Sequence, residues 1–511
     1  MFVYILDLVI TMNGKRCILI IAVMFIISSV SAIASVANGE VHKYLRVYSV
    51  IRIDSNDDFS NYGFPGSGSP NEPYIISNYE IDAQYTGAGI YIGNTTVYFV
   101  IENCTVYNAI FCSYPYYPGG GIVLYNVTNG IVRNNTANNN DYGIYIYHSS
   151  SNNTISGNII TSNYDDGIYL EDSINITISK NNISSSNNDG IYLAYSTHNI
   201  AISENAIYSN NRYGIYLYSS NNSISENTIT SNSYDGIRLY FSTNNTISGN
   251  TISDNRHGIY LEESNYNTIS ENRIVSNNDD GIYFEYSDNN TISRNNILDN
   301  GFGDGINFKG SNNNTITRNN ITNNNYGAYL YNSSNNIITK NVFTSNNRKG
   351  IYLGYSNNNK ISENNISSND EDGICLYFSD NNNIQSNKIT NNTKYGIYII
   401  TGSNNLIYNN IFYYNNGAGD TYNASNIQAY DNGINNHWNS STQGNYWHDW
   451  ANNNDTNDEN NDGIVDWPYR IAGSAGAKDY YPLKSTIVPE VSPFVAISLI
   501  FMICIVTRVW K

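Results

Sequence analysis

A four-residue phrase, Gly-Ile-Tyr-Leu or a close variant, recurs along this chain and decides what it can fold into. It begins at Gly89, Gly121, Gly143, Gly167, Gly190, Gly214, Gly236, Gly258, Gly281, Gly305, Gly327, Gly350, Gly373 and Gly396. After a first interval of 32 residues, every interval is 22, 23 or 24. A second phrase, apolar-x-x-Asn, keeps step at Asn134, Asn158, Asn181, Asn205, Asn227, Asn250, Asn272, Asn295, Asn319, Asn341, Asn364, Asn387 and Asn409. Self-similarity at a fixed period marks a solenoid, whose repeats bury their apolar faces against one another.

The kind of solenoid follows from the local pattern. Gly236-Ile-Arg-Leu-Tyr alternates apolar and polar with period two, as do Asn245-Thr-Ile-Ser and Asn250-Thr-Ile-Ser. These are short strands separated by Asn, Ser, Asp and Gly turns, and no stretch of the repeat has a helical period. Three strands per coil make a parallel β-helix, and parallel crossovers are overwhelmingly right-handed. Left-handed β-helices, built on six-residue units, do not fit the period. The predicted fold class is all-β: a right-handed, single-stranded parallel β-helix of about 14 coils of 22–24 residues, with terminal caps. At a coil spacing of about 4.8 Å the coils would extend for roughly 60–65 Å.

The repeat explains an odd composition. The chain has 511 residues, of which 93 are Asn and 48 Tyr, and only 13% are charged. Asn is a poor helix former, tolerates the left-handed corner conformation, and can ladder from coil to coil through its amide. The formal net charge of -18 excludes nucleic acid as a partner, because phosphate is neutralised by Lys and Arg.

The ends differ from the middle. Residues 1–34 read as a secretion signal, with Lys15 and Arg16 before an apolar run and Ala32-Ile33-Ala34 as a cleavage site; Met12 is an alternative start. Residues 35–88 form an N-terminal cap with its first strands, 89–416 the repeats, and 417–484 a C-terminal capping module. Residues 485–511 carry the apolar run Phe494–Val506 and a basic end, read as an anchor or sorting tail, short for the about 20 residues of a full span. The protein is expected to be exported and held at the cell surface, in contact with the membrane through that tail. The five cysteines are too dispersed for a disulfide scaffold; Cys104 and Cys112 could pair, which spacing alone does not establish.

Three features carry candidate chemistry. Tyr169, Tyr192, Tyr216, Tyr260 and Tyr283 stand two residues after their glycines, so strand alternation turns them outward as a row that could meet sugar rings or simply stack on itself. On the same face Asp235, His257, Asp280 and Asp304 precede successive glycines, Arg238 replaces a tyrosine, and Glu262 and Glu285 fall in adjacent coils. Carboxylates about 5 Å apart raise one another's pKa or attract a cation, and suit retaining glycoside hydrolysis. Against this stands the plain reading of Asp-Gly as turn chemistry. The third feature is the run Asp458, Asn460, Asp462, Ile464 and Asp466 with Gly463 at the sixth position, which matches the first nine positions of a calcium loop. Its twelfth position is Tyr469, so the bidentate glutamate is absent, and a structural calcium ion is the expected use. Eighteen Asn-x-Ser/Thr sites, among them Asn94, Asn126, Asn152, Asn175, Asn244 and Asn391, are candidate glycan acceptors in an exported chain.

The rungs, the segment Gly66–Asp82, and the terminal stretches Gly444–Asp449, Asn461–Tyr469 and Asp479–Leu483 together resemble the pectate-lyase-like β-helix superfamily. More closely they are similar to NosD-type repeat proteins and the related surface proteins of archaea. The resemblance spans nearly the whole mature chain and implies the fold; it supplies no recognisable catalytic motif. It also raises copper, which the residues argue against. No Met precedes Met502 in the mature chain, and His42, His148, His198, His257, His437 and His448 never share a position in neighbouring coils. The expected function is a non-catalytic extracellular surface protein, an envelope or adhesion rod able to bind glycans, with polysaccharide or cell-envelope components as its expected partners. The alternative is a polysaccharide-acting hydrolase or lyase using Asp235, Arg238, His257, Glu262, Asp280 and Glu285; a copper-binding accessory role ranks below both.

Overall fold

A computed structural model describes residues 46–486 apart from 49, 114–115, 118, 196 and 452–457. The secretion signal, most of the C-terminal tail, Met12 and Cys504 lie outside the described residues. Among those described, no helix is long and apolar enough to cross a membrane.

The chain winds as a right-handed parallel β-solenoid of about 14 turns. Its first-strand sheet has 16 strands, from Ile51–Ile53 to Ala429–Asp431. The second has 15 strands, from Tyr74–Ser77 to Leu406–Tyr408, and the third has 17, from Arg46–Tyr48 to Tyr446–Trp447. Like residues stack on like: Ile237 on Ile259 on Ile282, and Ile247 on Ile269 on Ile292. Each Ile-Tyr-Leu strand alternates buried, half-buried, buried, as in Ile191–Leu193. The inward Ile and Leu side chains are fully buried in one continuous core, each stabilising the fold by roughly 1.5–3 kcal/mol. The long first interval of 32 residues contains an antiparallel hairpin, Cys112–Ser113 with Tyr116–Tyr117, inserted between coils.

The asparagines divide into two roles that the sequence reading had merged. One ladder runs through Asn135, Asn158, Asn181, Asn205, Asn227, Asn250 and on to Asn410, each amide bonded to the next coil. Its first and last repeat members are Asn135 and Asn410, not the expected Asn134 and Asn409. These two instead occupy the left-handed corner one residue earlier, at φ of 54° and 57°. The ladder residues themselves do not adopt positive φ. The corner places one residue in the left-handed region so that the next can turn its amide inward. A second ladder passes through Asn222, Asn245, Asn267 and Asn290, and a third through Asn210, Asn232, Asn255 and Asn277. Sequon residues Asn152, Asn175, Asn221 and Asn244 stand exposed at left-handed corners.

Both ends of the apolar core are plugged by aromatic rings. At the start, Phe59 of the short helix Asp58–Asn61 stacks on Tyr74 at 4.8 Å and leans on Phe99. At the end, Phe412, Trp447 and Tyr469 stack at successive centroid distances of 4.1 Å. Buried Asp479 accepts hydrogen bonds from the Asn445 amide and the Trp447 indole, which locks this plug to the last coil. Cys104 is a free, buried thiol, so the pairing with Cys112 entertained above is not made.

Candidate functional site

The first-strand sheet carries the candidate groups. Its tyrosines point outward as expected, but they are half-buried, because each ring lies against its neighbours. Tyr145 on Tyr169, Tyr169 on Tyr192 and Tyr192 on Tyr216 stack at 4.9, 5.1 and 4.7 Å. The ring faces are therefore covered along the helix axis, and the edges and hydroxyls remain for an approaching ligand. Burial pushes the Tyr216 and Tyr283 hydroxyls up to about 12, so they stay protonated and can donate. Arg238 interrupts the row with its guanidinium 3.4 Å over the Tyr260 ring, a cation–π contact. Tyr260 meets Tyr283 edge-on at 4.6 Å.

All six ionisable residues singled out above, Asp235, Arg238, His257, Glu262, Asp280 and Glu285, come together here in three adjacent coils. Register pairs Arg238 with Tyr260 and Glu262 with Glu285. Each of the two glutamates holds a cationic side chain. Glu262 is bound by Arg238, whereas Glu285 accepts from Lys309 at 2.7 Å and from the Tyr260 hydroxyl at 2.6 Å. Burial would raise the pKa of Glu285, but the bonds from Lys309 and Tyr260 outweigh it, and the net shift is downward. That is the reverse of the raised carboxyl a general acid needs.

His257 is buried between carboxylates. Its Nδ1 lies 2.7 Å from Asp235, its Nε2 3.3 Å from Asp279 and 4.0 Å from Asp280. Burial alone would lower the imidazole pKa; hydrogen bonds to Asp235 and Asp279 reverse this and lift it to about 9. Asp279 and Lys309 were missed by the sequence reading. Both had a signal: Asp279 precedes Asp280 directly, and Lys309 occupies the same repeat position as Glu262 and Glu285.

The aspartates before the glycines also share a structural task. Asp166 accepts the amide of Asp189, Asp189 that of Tyr213, Asp280 that of Asp304, and Asp304 that of Tyr326, at 2.6–3.0 Å. Each carboxylate thus caps the corresponding corner of the next coil. The placement is costly when charged. Burial pushes Asp189 up to about 7 against the Tyr213 amide and Arg212, with Asp165 adding to the rise. Asp166 is likewise raised well above the usual carboxylate range, by burial and by the charges of Asp189 and Asp165. A carboxyl raised in the folded state contributes stability that is complete below its unfolded pKa, about 4, and is lost as pH climbs through the folded value. Denaturant unfolding should accordingly show stability falling from pH 5 to pH 8. An Asp189→Asn variant should lose roughly 2–4 kcal/mol of that fall, and an unchanged slope would contradict the assignment.

In the C-terminal module, Asp458 accepts the amides of Asp462 and Gly463, Asp462 that of Ile464, and Asp466 that of Glu459, all at 2.9–3.1 Å. Gly463 turns at φ of 84°, and Asn460, Asp462 and Asp466 are exposed. A shallow cleft of about 370 Å³ lies beside Glu459, Asn460, Asp466 and Trp467. Tyr469, at the twelfth loop position, is buried in the aromatic plug with its hydroxyl toward Asp449, so it offers the loop no ligand.

Comparison with known proteins gives two family matches. A right handed beta helix region matches residues 189–326, and the periplasmic copper-binding protein (NosD) family matches residues 51–221 and 303–451. No curated protein matches the chain. Among solved structures, a periplasmic alginate epimerase is 19% identical with a TM-score of 0.40, covering 53% of this chain and 84% of its own. A mannuronan C-5 epimerase A-module from Azotobacter vinelandii is 14% identical with a TM-score of 0.34, over 65% of this chain and 88% of its own. The Dettilon tailspike protein is 15% identical with a TM-score of 0.37, over 63% and 61%.

Proposed function

The chain belongs to the NosD family of β-helix proteins, and we propose that it is an exported, non-catalytic surface protein whose first-strand sheet binds an extended polysaccharide. The observation that carries this reading is the row Tyr169, Tyr192 and Tyr216, continuing through Tyr260 and Tyr283. From Tyr169 to Tyr216 outward edges and hydroxyls repeat once per coil, a spacing of about 4.8 Å that matches a linear polymer better than a small molecule; Arg238 takes the next position and the tyrosines resume at Tyr260. The neighbouring carboxylates are engaged by Arg238, Lys309 and Tyr260, which favours a structural role for them over an acid–base one.

Among the described residues, the copper in the family description does not find a matching donor set. The chain's four methionines lie outside the described residues. Cys104 and Cys375 are buried thiols, and burial raises the pKa of both, which disfavours the thiolate that soft copper needs. The C-terminal loop is better suited to oxygen-loving calcium, with Asp458, Asn460, Asp462, Asp466 and the Ile464 carbonyl as ligands that would brace the cap.

The reading is tested by retention. The purified protein is run through gels or columns carrying acidic and neutral polysaccharides. A Tyr169→Phe, Tyr192→Phe, Tyr216→Phe triple variant keeps the ring stack and loses three hydroxyls. At about 0.5–1.5 kcal/mol per hydrogen bond, retention by the preferred polymer should weaken roughly tenfold or more. Equal retention of variant and parent would remove the tyrosine row from the site.

A further inference from the structure

One corner of the ionic cluster has the makings of a cation site. Among the described residues, His257, Asp279 and Asp280 are the group whose ligand atoms lie within 4.8 Å of one another. We propose that these three side chains bind a divalent, zinc-class cation, with Asp235 as the partner that orients the imidazole.

Four observations converge on this. The imidazole is fully engaged at the rear: Nδ1 meets Asp235 at 2.7 Å, which turns Nε2 toward the two aspartates. A carboxylate behind a ligating histidine is the usual means of fixing its orientation and basicity. The ligand separations are also right. A tetrahedral ion with bonds of about 2.0–2.2 Å has ligand edges of about 3.3–3.6 Å; Nε2 stands 3.3 Å from Asp279, within that range, and 4.0 Å from Asp280, whose carboxylate has to draw in by about 0.4 Å. Access is the third point: His257 and Asp280 are buried, while the Asp279 side chain is 47% exposed, leaving a solvent side for a fourth ligand. Finally, the local charge is out of balance. Three carboxylates, Asp235, Asp279 and Asp280, surround the imidazole, and among the described residues the other cations near them are Arg238, 3.7 Å from Asp235, and Arg256, 4.0 Å from Asp279. A dication at Nε2 takes the place of the proton that the imidazole otherwise holds among these carboxylates. One imidazole and two carboxylates form a mixed nitrogen–oxygen set that suits zinc and manganese rather than the thiolate and thioether chemistry of soft copper. On binding, Nε2 releases its proton to solvent and gives its lone pair to the ion.

The site stands apart from the polysaccharide reading and is tested without it. Metal-stripped full-length protein is titrated with Co²⁺ followed by its visible absorption, then with Zn²⁺ by calorimetry. The expected result is one Co²⁺ per chain with a ligand-field band that Zn²⁺ abolishes. Asp279→Asn, at a half-exposed side chain, should weaken binding severely. Asp235→Asn, acting through the imidazole, should weaken it by roughly 10–100-fold. Asp458→Asn, in the C-terminal loop, should leave it unchanged. Absence of both the band and the heat in the parent protein would overturn the proposal. So would Co²⁺ binding that survives Asp279→Asn intact while circular dichroism shows the variant folded.

Discussion

Replacing Asn250 by aspartate should destabilise the solenoid more than any single change to its surface. The two side chains have the same shape and differ in what they can donate. The Asn250 Nδ2 gives hydrogen bonds to the Ile224 carbonyl and to Asn272 Oδ1, both at 3.0 Å. Its Oδ1 receives the amide and the side chain of Asn227 at 2.9 and 3.0 Å. Aspartate retains the acceptor half of this arrangement and turns the donor half into an oxygen facing these two oxygens and the Ser248 carbonyl at 3.2 Å, at a site only 1% exposed. An unmet buried acceptor costs about 1–3 kcal/mol, and a charged one more, so a loss of roughly 4–6 kcal/mol is expected. Each repeat is stabilised chiefly by its neighbours, so the damage should spread outward from the central coils. Denaturant titration should give a lower midpoint at neutral pH and partial recovery in acid, where the protonated carboxyl can again donate one bond. Equal midpoints at neutral pH would mean that the ladder contributes little.

Gly236→Ala is the second large effect. A methyl group there would stand 2.5 Å from the Ile252 side chain and 2.7 Å from the Gly258 carbonyl oxygen of the next coil. The Ile252 methyl could rotate, but the carbonyl is part of the sheet and cannot move without parting two coils. Overpacking of this kind costs about 1–3 kcal/mol where side chains can adjust, so at least the upper end is expected here. Gly249 is the informative contrast. Its φ is 67°, yet the nearest atom to an added Cβ is 3.6 Å away. Gly249→Ala therefore meets only the left-handed backbone cost of roughly 1–2 kcal/mol. Thermal unfolding of the pair should rank Gly236→Ala well below Gly249→Ala. The opposite order would mean that backbone conformation, not coil spacing, selects the repeated glycine.

The glycine period made most of the fold legible, because one residue per coil must let the next carbonyl approach and nothing else fits there. Strand alternation likewise placed Tyr192 outward and Ile191 and Leu193 inward. The doublets Asn134-Asn135 and Asn409-Asn410 misled by one residue, since either member satisfies the repeat phrase and only backbone geometry separates corner from ladder. Repeat position also brought Glu262 and Glu285 together correctly. It could not reveal that long side chains reach past the neighbouring coil, so that Arg238 and Lys309 take these carboxylates in opposite directions. The covering of tyrosine faces by neighbouring rings was hidden for a related reason: stacking depends on side-chain rotation, which the sequence pattern does not encode.

The central claim is that the first-strand sheet holds a polysaccharide without transforming it. The direct measurement is the retention experiment extended to its products. The polymer that the protein retains is incubated with it, and the solution is assayed for new reducing ends, unsaturated sugars and altered sugar configuration. The account predicts retention that depends on the tyrosine hydroxyls, with polymer recovered unchanged. Product that accumulates with the parent protein and disappears with Glu262→Gln or Glu285→Gln would contradict it and make the ionic cluster an active site.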